Sequence, residues 1–215
     1  MSTKRMILGM IVLMALVGTA RASPVTFEFA GEITSVLDDE DFLGGAVTVG
    51  SPFSGSFTFE STTPDSYPGS PWSAAYPDAI TAISGQIGGI PFLGPVHFEN
   101  IIGVLNDAPA SGTDHYEVHG GVGFVSETLM FSLVLFDDTG RGLSNDLLPL
   151  SPPDIRLFDF ARFAVSDETI PLGLGGDITS LTPDPGTLAL LGLGALIVTR
   201  RRRTRRVRTN GSKRR

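Results

Sequence analysis

From Ser23 to Thr182 the chain places apolar residues at every second position and breaks the rhythm with Gly and Pro, a pattern that an amphipathic helix cannot use. Val25, Phe27, Phe29 and Ile33 share one face of a first strand, with Thr26, Glu28, Glu32 and Thr34 on the other. Phe53, Phe57 and Phe59 alternate with Ser54, Ser56, Thr58 and Glu60, and Val96, Phe98, Ile102 and Val104 repeat the pattern. Leu129 to Phe136 (LMFSLVLF) is apolar on both faces and reads as a central core strand. Ile155 to Val165 alternates again, with Phe158 and Phe160 set against Leu157, Phe163 and Val165. Turn-rich stretches at Ser61–Pro77, Asn106–Thr113, Asp137–Gly142 and Asn145–Pro153 separate these runs. The pattern predicts eight to ten short strands in an all-β fold, specifically a two-sheet antiparallel sandwich of jelly-roll type.

The chain has no cysteine, so no disulfide, thiolate metal site or cysteine nucleophile is available. About 160 residues between the two ends suffice for one hydrophobic core, hence one domain over 23–182. That segment holds three arginines (Arg141, Arg156, Arg162) against 22 acidic residues, a formal charge of −19. So acidic a surface repels phosphates and excludes nucleic acid as a partner.

Both ends read as address segments. Lys4 and Arg5 precede an apolar run from Met6 to Val17, and Ala20-Arg21-Ala22 supplies the small-x-small pattern of a signal peptidase site. Residues 1–22 are therefore expected to form a signal helix cut after Ala22. At the other end Pro183-Asp184-Pro185 leads into an apolar stretch, Thr187–Thr199, and then into Arg200, Arg201, Arg202 and Arg203. As a helix that stretch spans roughly 20 Å, short against a hydrocarbon core of about 30 Å. The arginines behind it are expected to stay in the cytoplasm.

The order Pro-Asp-Pro, Gly/Leu/Ala-rich apolar segment, arginine cluster resembles a PEP-CTERM sorting signal, over about 25 residues. The resemblance implies a hydrophobic, transmembrane sorting helix within a signal over 183–208, followed by a basic tail over 209–215. It implies recognition and cleavage near Pro183, Asp184 and Pro185 by an exosortase-like transpeptidase. It also implies transient association with the inner membrane, then a cell-surface or extracellular location beside exopolysaccharide. Asp184 stands where that family usually carries Glu. The stretches Val25–Gly31 and Val49–Phe59 (VGSPFSGSFTF) look like the opening of uncharacterised PEP-CTERM passengers, a likeness that brings no activity with it.

No catalytic residue is assigned. A Gly-x-Ser-x-Gly elbow, a His-Glu-x-x-His helix and a phosphate loop are all missing. The passenger is expected to be a non-enzymatic structural or matrix protein; the alternative is a carbohydrate-binding, carbohydrate-active or metal-dependent protein. The sharpest metal pattern is Asp114-His115-Tyr116-Glu117-Val118-His119, which puts His115, Glu117 and His119 on one face of a strand. Neighbours on that face stand roughly 6.6–6.8 Å apart, so the competing reading is a polar solvent face. Asp38-Asp39-Glu40-Asp41 is an acidic run that could collect Ca²⁺ or simply be a solvated loop. Tyr67, Trp72 and Tyr76 either stack on sugar rings or pin their loop to the core.

Overall fold

Strand β1, Pro24–Asp38, is the spine of the domain, with β2 (Pro52–Glu60) on one edge and β10 (Leu172–Pro183) on the other, both antiparallel. The remaining strands are β3 Ser73–Pro77, β4 Ile80–Ile87, β5 Ile90–Gly94, β6 Ile101–Leu105, β7 Asp114–Phe124, β8 Glu127–Asp137 and β9 Phe160–Ser166. A 3₁₀ turn, Ile155–Leu157, precedes β9. The protein is seen in a computed structural model that describes residues 24–38, 41–95, 100–108, 111–125, 127–166 and 172–186.

The pairings run β1-β2-β4-β5-β7-β8-β9-β10 and return to β1, closing an eight-stranded antiparallel barrel. This corrects the expected two-sheet sandwich. Alternation puts one face of each strand into a core in either architecture, so it cannot say whether two sheets face each other or one sheet curls onto itself. Closure here depends on two residue pairs, Phe92↔Phe124 and Leu93↔Gly123. The rest of that edge of β7 is taken by β6, from Ile101↔His119 to Leu105↔His115, and β3 pairs onto β6 as a two-stranded flap. Register shifts in β1 between Ala30 and Gly31 and between Ile33 and Ser35 mark irregularities of the kind that tighten local twist and help a sheet close.

Phenylalanines fill the barrel. Phe29, Phe53, Phe92, Phe131 and Phe163 form one cluster, with Phe53 stacked on Phe163 at 4.3 Å. An eight-stranded barrel is just wide enough to be filled by side chains, and each buried ring contributes about 1.5–3 kcal/mol. The rings fit because glycine stands under them: a Cβ on Gly31 would lie 2.5 Å from the Phe53 ring and one on Gly85 2.4 Å from Phe92.

Strand β8 departs from its expected reading. Leu129, Phe131, Leu133 and Leu135 point into the barrel and are fully buried, while Met130 is exposed and Val134 and Phe136 are half-buried on the outer wall. The Ile155–Val165 run also splits into a 3₁₀ turn and a strand that begins only at Phe160. Strand β3 lies inside the expected loop Ser61–Pro77.

The signal segment 1–22, with Ala20 and Ala22, lies outside the described residues, as do Thr187–Thr199 and Arg200–Arg203. Among the described residues no helix is long and apolar enough to cross a membrane, so the expected transmembrane helix is not found there.

Candidate functional site

The outer face of β7 brings His115, Glu117 and His119 together. Both imidazoles lean along the strand toward the central carboxylate. The His119 Nε2 atom is 3.1 Å from Glu117 Oε2 and the His115 Nε2 atom is 3.7 Å from the same oxygen. The Glu117 carboxyl is held below its ordinary pKa, first by the bond to His119, then by the charges of both histidines, against an opposing effect of burial. Glu117 lies over Gly103 of β6, its cross-strand partner, where a Cβ would come within 2.7 Å of the Glu117 Cγ. His115 packs its edge against Phe136 (6.2 Å, 72°), and Phe136 stacks on Phe160 at 5.1 Å. Arg162 sits over the Phe160 ring at 5.2 Å. The polar face predicted from sequence is therefore an ordered row of imidazole, carboxylate and aromatic groups.

A second constellation ties loops to one end of the barrel. The Asp114 carboxylate accepts the N–H of Asp107 (2.8 Å) and of Leu143 (2.7 Å). The Asp137 carboxylate accepts the N–H and hydroxyl of Thr139 on one oxygen and the N–H groups of Arg141 and Gly142 on the other. Its pKa is lowered to about 2, chiefly by the Thr139 hydroxyl, with desolvation opposing and the backbone N–H groups assisting. Among the described residues, Asp137, Asp138 and Asp159 are the one group of three whose ligand atoms all lie within 4.8 Å of each other. Asp137 has already spent its lone pairs on the turn. Asp138 is raised in pKa by its hydrogen bond to Asp159 and by that neighbour's charge.

The outer wall of β10, β1, β2 and β4 carries a groove of about 540 Å³ lined by Glu28, Ser54, Ser56, Ser84, Gln86 and Ser180, among others. Cross-strand hydroxyl pairs floor this wall, Ser56 with Ser84 at 3.3 Å and Thr26 with Thr58 at 2.9 Å. Such a surface presents hydroxyl groups, each able to donate and to accept a hydrogen bond, on the outside of the barrel.

Other expected sites are dispersed. Both Asp38 oxygens accept backbone N–H groups, from Phe42 (2.7 Å) and Leu43 (2.9 Å), and Asp39 and Glu40 lie outside the described residues. Tyr76 is buried, donating to the Asp146 carbonyl and accepting the Leu148 N–H, so it pins a loop. Tyr67 and Trp72 are exposed at 57% and 42%. Pro183 ends β10 opposite Phe27, and the Asp184 N–H donates to the Thr26 carbonyl at 3.0 Å. The Pro183-Asp184-Pro185 segment, expected to be a sorting motif, thus begins within the barrel wall and not as the fully unpaired strand that two prolines suggest.

No family model matches the chain, and neither a curated protein nor a solved structure matches it.

Proposed function

We propose that this protein is an exported, non-enzymatic matrix or surface barrel, delivered by its N-terminal signal and a C-terminal PEP-CTERM-like address. The observation that carries the reading is where the last strand stops. Strand β10 ends at Pro183, the first residue of Pro183-Asp184-Pro185, and β1, described from Pro24 onward, lies wholly after the expected cut behind Ala22. The two strands pair side by side, Phe27 opposite Pro183. A signal peptidase and an exosortase-like transpeptidase could therefore remove both flanks and leave every barrel strand in place.

The outer wall supports binding over turnover. Among the described residues Glu28 is the one carboxylate lining the hydroxyl-rich groove, whereas acid–base hydrolysis of a glycoside uses a pair. The filled interior leaves recognition to the outside, where serine and threonine hydroxyls suit an exopolysaccharide.

Intact-mass analysis of the protein released by its native host tests the export reading. The expected chain begins at Ser23 and ends between residues 183 and 187. Recovery of the full-length chain alone, in every cell fraction, would overturn it.

A further inference from the structure

We propose that His115, Glu117 and His119 form a binding site for a borderline divalent transition metal of the Zn²⁺ class, with Glu117 as the central ligand. The proposal stands apart from the export reading and rests on the outer face of β7 alone. Alternate residues on a strand normally hold their side chains too far apart to share an ion. Here both imidazoles have already turned their Nε2 atoms to one carboxylate oxygen, at 3.1 and 3.7 Å. Around a tetrahedral ion with ligand bonds of about 2.0–2.1 Å, neighbouring donor atoms stand roughly 3.3 Å apart. Two of the three donor–donor separations are thus close to what the ion requires.

The surroundings fit the same use. Gly103 leaves the space in which the Glu117 side chain lies down against β6. The three side chains are 32%, 33% and 26% exposed in chain order, enough to admit an ion from solvent while keeping the donors half-desolvated. Phe136 braces the His115 ring from β8. His119 faces Ile101 and Ser132 across its two neighbouring strands, and for the three groups to share an ion one of the two rings must swing inward. That movement is needed because the two imidazoles do not yet approach each other within 4.8 Å. The cross-strand partners of the trio on β6 (Leu105, Gly103, Ile101) and β8 (Phe136, Val134, Ser132) carry no charge. The nearest cation by register is Arg162 of β9, beyond Val134, and its guanidinium is drawn over Phe160. Two neutral imidazoles and one carboxylate suit Zn²⁺, Ni²⁺ or Cu²⁺ and not Ca²⁺ or Mg²⁺, which prefer oxygen alone.

Calorimetric titration of the metal-stripped full-length chain with ZnSO₄ tests this, with MgCl₂ as the reference salt. The expected result is one Zn²⁺ per chain, no Mg²⁺ heat at the same concentrations, and an affinity at least about tenfold weaker in both H115A and H119A. E117Q should weaken binding similarly, and unchanged melting curves for the metal-free variants would show that the barrel is intact. His97, the third histidine of the chain, serves as the control, and H97A should bind as the parent does. Absence of Zn²⁺ binding overturns the proposal. So does binding that survives the H115A/H119A double substitution, or binding that is lost only in H97A.

Discussion

Asp114 and Asp137 are cross-strand partners on β7 and β8, both fully buried, and each carboxylate is held by backbone N–H groups from loops beyond its own strand. Two carboxylates side by side inside a protein repel each other and lose hydration, so both need a dense set of donors. The donors come from residues 107 and 139–143, so the pair fastens the loop before β7 to the loop after β8. The Asp137-Asp138-Thr139-Gly140 sequence is thereby a loop anchor through Asp137.

Replacing Asp114 with Asn removes one acceptor oxygen and points an amide donor at either the Asp107 or the Leu143 N–H. Leaving one buried N–H unpaired costs about 1–3 kcal/mol. Urea unfolding of D114N should show that loss with an unchanged slope. A variant as stable as the parent would mean that these bonds are freely exchanged for water.

Acid stability follows from Asp137. Its folded pKa, about 2, lies below the ordinary aspartate value, so its contribution is complete above about pH 4 and disappears as pH falls toward 2. Melting curves between pH 5 and pH 2 should drop more steeply for the parent than for D137N, and the two should converge at the acid end. Parallel curves would show that other carboxylates govern acid unfolding.

Gly31 and Phe163 test the packed interior from opposite directions. A Cβ at position 31 would strike the Asp177 carbonyl as well as the Phe53 ring, so G31A should destabilise by about 1–3 kcal/mol or more. F163A removes the ring stacked on Phe53 and should cost about 3–5 kcal/mol. Were both variants as stable as the parent, the barrel would have to be loosely filled.

The inward faces of β1 and β2 were legible because period-two alternation depends only on pleat: Phe27, Phe29, Phe53, Phe57 and Phe59 all point where the pattern puts them, whereas the LMFSLVLF run, apolar at both parities, did not say which face turns inward. Closure was not legible. It depends on Phe92 and Leu93 meeting Phe124 and Gly123, a pairing between segments some 30 residues apart that no local pattern encodes. Strand β3 was hidden because Ser-Ala-Ala-Tyr-Pro has neither β-branched residues nor alternation, and its stability comes from pairing with β6. At the candidate site the residue types and their common face were readable. The lean of both imidazoles onto Glu117 was not, since it depends on Gly103 and Phe136 of other strands.

Calcium provides the last check, on the acidic run after β1. A loop that chelates Ca²⁺ turns several carboxylate oxygens toward the ion. Asp38 instead turns both of its oxygens to the N–H groups of Phe42 and Leu43, where they cap the turn that follows. With a formal charge of −19 over 23–182, added salt of any kind should stabilise the barrel by screening. Specific binding would add a rise that grows with ligand concentration. At matched ionic strength, CaCl₂ and MgCl₂ should therefore raise the melting temperature equally. D38N should lower stability in both salts, because it removes a cap. A rise selective for Ca²⁺ and abolished by D38N would reverse this account and make Asp38 a ligand.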